Sequence, residues 1–372
     1  MKIPLLAAAF PLLLAVAGHA APALTITTFD LADGFTYESS YVYGINSHGD
    51  IVGTGGNTVD GFVPFVYSGG SIAPLPAIGF LDSANAISDN GHIVGYSDNV
   101  ASRYESGAWV PLTDAHDVYG VNNTGNAVGR TYDTGTSEAQ AARFNADGST
   151  TALGTLLPDG TGSSCASGIN NAGQMVGCSD IAGTLTTHAV LWDNDGTIHD
   201  LGSLAGPAGY SDGTAINDLG QIAGASENAD GDLRGFIWTA GIFQDLGVIA
   251  GYDSSEAMAI NNLGQVAGRL NSASGQSLFF YDGATMWDLA ALLPGGLAAA
   301  GLDSFYDIVG MNDAGQIVGN AFDTDNNRVG FVINIAAVPE PSTYALAIGI
   351  LLAAVIATRR HRARKTRCHG AP

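Results

Sequence analysis

The chain has very little positive charge. Of its 372 residues only two are lysine, Lys2 and Lys365, and both lie near the ends. Between residues 22 and 338 there is no lysine and only six arginines, set against 34 aspartates and glutamates. A body this acidic repels phosphate backbones and anionic headgroups, which excludes nucleic acid as its partner. Charged residues make up only 13% of the chain, too few for the salt-bridged faces of a coiled coil or helical bundle. Three cysteines exclude a disulfide-dense scaffold. No Cys-x-x-Cys or His-x-x-x-His pair points to zinc, and no Gly-Lys-Ser/Thr phosphate loop is present. The expectation is a non-catalytic protein without a resident cofactor.

Glycine is abundant, at 51 residues. With scattered Val, Ile, Phe and Trp it favours many short strands joined by tight turns, hence an all-β body.

The two ends read as addresses. Residues 1–20 place Lys2 before an apolar run from Ile3 to Ala17, followed by Gly18-His19-Ala20. A basic start, a short greasy stretch and small residues make a secretory signal peptide, with cleavage expected after Ala20. Pro4 and Pro11 argue against a buried core helix. Residues 338–367 hold Val338, Pro339, Glu340 and Pro341, an apolar run from Tyr344 to Thr358, then Arg359, Arg360, Arg362, Arg364, Lys365 and Arg367. As a helix that run spans about 22 Å, short for a hydrocarbon core of about 30 Å, and flanking arginines can snorkel across the difference. The basic cluster stays cytoplasmic while the signal peptide sends the body outward.

This C-terminal order resembles the PEP-CTERM sorting signal of Gram-negative bacteria. The resemblance implies an inner-membrane-anchored precursor cut by an exosortase, then a place at the cell surface or outside the cell.

Between the ends, over residues 24–334, one unit recurs seven times: apolar-Asn-x-x-Gly-x-apolar-small/apolar-Gly. Its central glycines are Gly49, Gly91, Gly125, Gly173, Gly220, Gly264 and Gly315. Each unit reads as a hairpin whose glycine takes positive φ. The repeated asparagines 46, 122, 170, 217, 261 and 312 are expected to cap the turn backbone. A strand ending in aromatics follows in most units, such as His188 to Trp192. A strand ending near Asp-Leu comes next, such as Ile198 to Leu201. Four strands in about 45 residues match a propeller blade. The last unit lacks its fourth strand, and Leu24–Leu31 reads as that missing strand. A seven-bladed β-propeller closed by the N-terminal strand follows; an open solenoid or two smaller β domains are the alternatives.

The units resemble the HAF repeats of bacterial extracellular proteins, most closely from Ile169 onward and least near Val121 to Gly129. That resemblance implies an extracellular setting and brings no catalytic role.

Cys165 and Cys178 flank the fourth hairpin. A turn centred on Asn171-Ala172 sets them opposite each other, ready for a cross-strand disulfide; a one-residue bulge at Gly173 sets them on opposite faces. Spacing alone leaves both open. Asp-rich turns at 193–196, 230–232 and 323–327 offer oxygen ligands for calcium, although the third lacks the distal Glu and sixth-position Gly of a calcium loop. The functional expectation is an exported surface or matrix protein that binds exopolysaccharide or other surface proteins, delivered by the Sec machinery and an exosortase. The alternatives are a secreted hydrolase or lyase acting on polysaccharide, which needs acidic and basic side chains around the channel, and a calcium-dependent adhesin.

Overall fold

Each repeat folds as one antiparallel four-stranded sheet, and seven sheets surround a common axis. The computed structural model describes residues 21–29, 39–57, 61–77, 79–98, 100–132, 138–182 and 186–336. The expected signal peptide with Ala20, the sorting residues Val338 to Pro341 and the expected C-terminal helix lie outside the described residues. Among the described residues no helix is long and apolar enough to cross a membrane.

The N-terminal strand β1 is Leu24–Thr28. Blade 1 is β2–β5 (Ser39–Ile45, Ile51–Asn57, Gly61–Ser68, Ser71–Pro74) and blade 2 is β6–β9 (Ser83–Ile87, Ile93–Ser97, Val100–Glu105, Ala108–Pro111). Blade 3 is β10–β13 (Asp117–Val121, Ala127–Tyr132, Ala139–Phe144, Thr150–Ala152) and blade 4 is β14–β17 (Ser164–Ile169, Met175–Asp180, Thr187–Trp192, Ile198–Gly202). Blade 5 is β18–β21 (Ser211–Ile216, Ile222–Glu227, Leu233–Thr239, Ile242–Asp245) and blade 6 is β22–β25 (Ser254–Ile260, Val266–Ser272, Gly275–Tyr281, Met286–Asp288). Blade 7 has β26–β28 (Leu302–Met311, Gln316–Asp323, Arg328–Ile335) and takes β1 as its fourth, outermost strand. Leu24 pairs with Ile335 and Thr28 with Phe331. The fold is therefore a seven-bladed β-propeller whose last blade is built from both ends of the body, which removes the sheet edge that β28 would otherwise expose.

The core is divided among the seams between blades. Val176 and Ala189 of blade 4 pack on Ile222 and Phe236 of blade 5. At the closing seam Phe29, Val42, Ile51 and Phe65 meet Val318 and Val332. Inner strands are covered on both faces by neighbouring blades, which is why β16 is buried from His188 to Trp192 without alternation. One turn departs from the repeat. The β25 strand stops at Asp288, and Leu289–Leu292 begins a short helix because the Asp288 Oδ1 accepts from the Ala290 amide at 2.9 Å.

All seven turn glycines have φ between 72° and 84°. In each turn that glycine's amide donates to the carbonyl three residues earlier, as Gly220 does to Asn217 at 3.1 Å.

Candidate functional site

The first strand of every blade lies against the axis. At the turn end these strands open into a cup of about 180 Å³, lined by three consecutive residues from each blade, such as Ile216, Asn217 and Asp218. Two hydrogen-bond rings build the cup. In the inner ring each asparagine accepts two amides of its own turn and donates Nδ2 to the next blade. Asn217 Oδ1 accepts from Leu219 (3.1 Å) and Gln221 (2.9 Å), while its Nδ2 donates to the Asn261 carbonyl at 2.8 Å. The same step links Asn122 to Asn170, Asn170 to Asn217, Asn261 to Asn312, and Asn46 to Ser88. Blade 2 carries Ser88 in place of asparagine. In the outer ring the next residue's amide donates to the following blade's side chain: Ser47 to Asp89, Asp89 to Asn123, Asn171 to Asp218, Asn262 to Asp313. The asparagines thus cap their turns, as their chemistry requires, and also tie blade to blade. Their polar atoms are committed to the scaffold.

Deeper along the axis, β26 carries three extra residues relative to its partner, two of them, Asp303 and Tyr306, nearer the start of the strand, and at one shared level each of the seven first strands carries one. These bulged residues are Tyr43, Asn85, Tyr119, Ser167, Thr214, Met258 and Val309. A bulge re-aims side chains, and none of the seven is buried. Immediately after them come Gly44, Ala86, Gly120, Gly168, Ala215, Ala259 and Gly310. Space dictates these small residues: a Cβ on Gly44 would stand 3.3 Å from the Ala86 Cα, and one on Gly310 3.0 Å from Ile45. Seven strands crowd one axis there. The small residues were visible in sequence; the bulge behind them was not, because it leaves the alternation of apolar residues almost intact.

Below the bulge runs a layer of half-buried residues: Tyr41, Ser83, Asp117, Cys165, Asp212, Glu256 and Asp307. Three acids are matched by the residue directly across their own sheet. Asp117 is bound by Arg130, Glu256 by Arg269 at 3.0 Å, and Asp307 by Asn320 at 2.8 Å. Burial raises the Asp117 carboxyl, but hydrogen bonds from Tyr96, Arg130 and His116 outweigh it and hold the group down at about 2. Asp212 is different. Its cross-strand partner is Ala225, and one carboxylate oxygen is buried without a hydrogen bond. Burial, reinforced by charge on Cys165, pushes its pKa up to about 7.

Cys165 and Cys178 lie directly across from each other, with their sulfurs 3.1 Å apart. Gly173 takes the positive φ of the turn bulge considered from the sequence, and a second bulge at Ser167, which the sequence did not suggest, shifts the register back and sets the cysteines opposite each other. The hydrogen bond between the two sulfurs lowers the Cys165 thiol and correspondingly raises that of Cys178.

Aromatics gather where the axial strands begin. Tyr119 and Tyr132 are 40% and 41% exposed, with Arg130 5.9 Å from each ring and His116 edge-on to Tyr132 at 4.2 Å. On blade 7 the Arg328 guanidinium stands 3.6 Å over Tyr306, which is 37% exposed. Tyr41 and Tyr43 of blade 1 stack nearby, with Arg328 5.4 Å from the Tyr41 ring.

Other candidates are absorbed by structure. Residues Gly209 to Gly213 spell Gly-x-Ser-x-Gly, but Ser211 opens a strand and is fully buried. Its Oγ donates to the Gly202 carbonyl at 2.5 Å and accepts from the Ala189 amide at 2.8 Å, so it is no nucleophile elbow. In the Asp-rich turns, Asp323 accepts from the Asp325 and Asn327 amides, Asp193 meets His199 at 2.7 Å, and Asp232 meets Arg234 at 2.7 Å.

No family model matches the chain, and no curated protein does. Among solved structures, a puromycin-hydrolyzing peptidase of Mycobacterium tuberculosis is similar with a TM-score of 0.50 at 12% identity, over 82% of this chain and 55% of the peptidase. This chain thus spans about half of that enzyme's length. A putative TolB of Agrobacterium tumefaciens aligns with a TM-score of 0.45 at 12% identity, over 72% of this chain and 95% of its own. Aleuria aurantia lectin aligns at 0.36 and 12%, over 85% and 95%. What the chain shares with the peptidase is the propeller fold.

Proposed function

We propose that the propeller is a non-catalytic binding module that works outside the cytoplasm and takes an uncharged or cationic polymer, foremost the producing cell's own exopolysaccharide, at the end of the axis where the strands begin. The observation that carries this reading is the joint placement of exposed Tyr119, Tyr132 and Tyr306 with axial carboxylates and arginines. Aromatic faces give stacking area to sugar rings, and the polar groups beside them give orientation. The acidic body disfavours polyanions.

Export belongs to the same proposal. The signal-like residues 1–20 deliver the chain through the Sec machinery, a short apolar helix holds the precursor in the inner membrane, and an exosortase acts at Val338-Pro339-Glu340-Pro341. Cell fractionation with exact mass tests this: the reading expects a surface or secreted form lacking both ends. A full-length cytoplasmic chain contradicts it.

Retention on the purified exopolysaccharide tests the binding. The wild type is expected to be retained and the Tyr119→Ala/Tyr306→Ala variant to lose at least about tenfold in affinity. Equal retention of both, or none, rejects the site. A hydrolase or lyase is the second reading, favoured by acids and arginines on one axial layer, and is tested by release of new chain ends from the same polysaccharide.

A further inference from the structure

The axial layer contains one unmatched charge. Asp117, Glu256 and Asp307 each have an arginine or asparagine across their own sheet. Asp212 faces Ala225, which offers nothing, and one of its oxygens is buried and unpartnered. A carboxylate oxygen buried without a partner or counter-charge is costly and is satisfied by a cation. Across the seam from Asp212, blade 4 presents Cys165 and Cys178, the described body's two thiols. The two sulfurs and a carboxylate oxygen converge within 4.8 Å of one another. This convergence is invisible in sequence because Asp212 comes from the neighbouring blade, 34 residues beyond Cys178.

We propose that Cys165, Cys178 and Asp212 form a binding site for one thiophilic divalent cation of the zinc class. Two sulfurs and one carboxylate oxygen are ligands that such a cation accepts, leaving a fourth tetrahedral position for water or a ligand atom. Hard cations such as calcium and magnesium require more oxygens than the site offers. Two Zn–S bonds of about 2.3 Å at a tetrahedral angle separate the sulfurs by about 3.8 Å. The thiols at 3.1 Å therefore open by well under 1 Å, within reach of side-chain rotation. Binding displaces the two thiol protons, and the metal takes up the charge that Asp212 carries. Oxidation of the pair to a disulfide removes both sulfur ligands, so metal and disulfide exclude each other.

The test uses the full chain in a Cys368→Ser background, reduced with a phosphine and desalted, and titrated with Zn²⁺ and Co²⁺. The expected result is one equivalent bound, with a Co²⁺ spectrum showing thiolate charge transfer and intense tetrahedral bands. The Cys165→Ser/Cys178→Ser variant is expected to lose binding by at least about 100-fold and Asp212→Asn by at least about tenfold, both with the native β circular dichroism retained. Should either variant fail to fold, Asp212→Glu keeps the charge and is expected to bind Co²⁺ with a shifted spectrum. No binding by the folded, reduced background protein overturns the proposal. So does binding that the double serine variant retains, or binding that Asp212→Asn leaves unchanged, which would reduce the pair to a dithiol and disulfide alone.

Discussion

The side-chain nitrogen of Asn312 in the last blade donates to the backbone carbonyl of Asn46 in the first at 3.1 Å, joining residues 266 apart in sequence. This contact joins the last blade to the first in a belt that runs round the axis through every asparagine of the repeat and is interrupted at Ser88 of blade 2. The same asparagine caps its own turn through two amides and bonds the Gln316 side chain at 2.8 Å. Each belt residue therefore links local turn formation to the assembly of neighbouring blades.

Asn217→Ala removes one buried donor and the acceptor of two turn amides. It is expected to cost about 2–4 kcal/mol, read as a lowered urea midpoint with unchanged slope. The converse change, Ser88→Asn, supplies the amide that the belt lacks in blade 2. It is expected to stabilise by about 1 kcal/mol through a new bond to the Asn122 carbonyl.

The closing seam gives a second expectation. Phe29 is buried, follows β1 and stands edge-on to Tyr67 with ring centroids 4.9 Å apart. Phe29→Ala is expected to cost about 3–4 kcal/mol in equilibrium unfolding. Because it loosens the strand covering β28, it is also expected to promote concentration-dependent association, measurable by light scattering.

Two carboxylates of one layer should give opposite pH slopes. Asp117 is held down at about 2 in the folded state, against an ordinary value near 4, so its contribution is present above pH 4 and lost as pH falls toward 2. Asp212 is raised to about 7 by burial, the Cys165 charge and Glu256, with a hydrogen bond donated by the Cys178 thiol opposing them. Its contribution is fully present below pH 4 and lost as pH rises through 7. In the reduced, metal-free protein the Asp212 contribution is therefore expected to fall between pH 5 and pH 8, against an opposite slope from the lowered Cys165 thiol, so it is read as the difference between wild type and Asp212→Asn. Asp212→Asn removes that contribution and is expected to be more stable relative to wild type at pH 8 than at pH 5. Urea unfolding at the two pH values measures both effects.

The architecture was legible because the repeat states its turn chemistry seven times. Gly49 through Gly315 mark the turns, Asn46 and its equivalents cap them, and the missing fourth strand of the last unit foretold the role of Leu24. The axial layer was far less legible. Its composition depends on an extra residue in each first strand, and a bulge at Tyr119 or Ser167 leaves no mark in apolar spacing. Asp212 could not be joined to Cys165 and Cys178 from sequence, since the contact crosses a seam whose register only the assembled ring sets. The helix after Asp288 was missed because Asp-Leu ends a strand elsewhere in the repeat, while here the aspartate caps a helix.

Hydrogen–deuterium exchange on the full chain, with and without the exopolysaccharide, addresses the axial binding surface most directly. Protection is expected in peptides covering 39–45, 117–132 and 302–311, with the outer strands 71–74, 108–111 and 242–245 unchanged. Protection confined to the outer strands, or to the turn-end cup around Asn217 and Asp218, would contradict it.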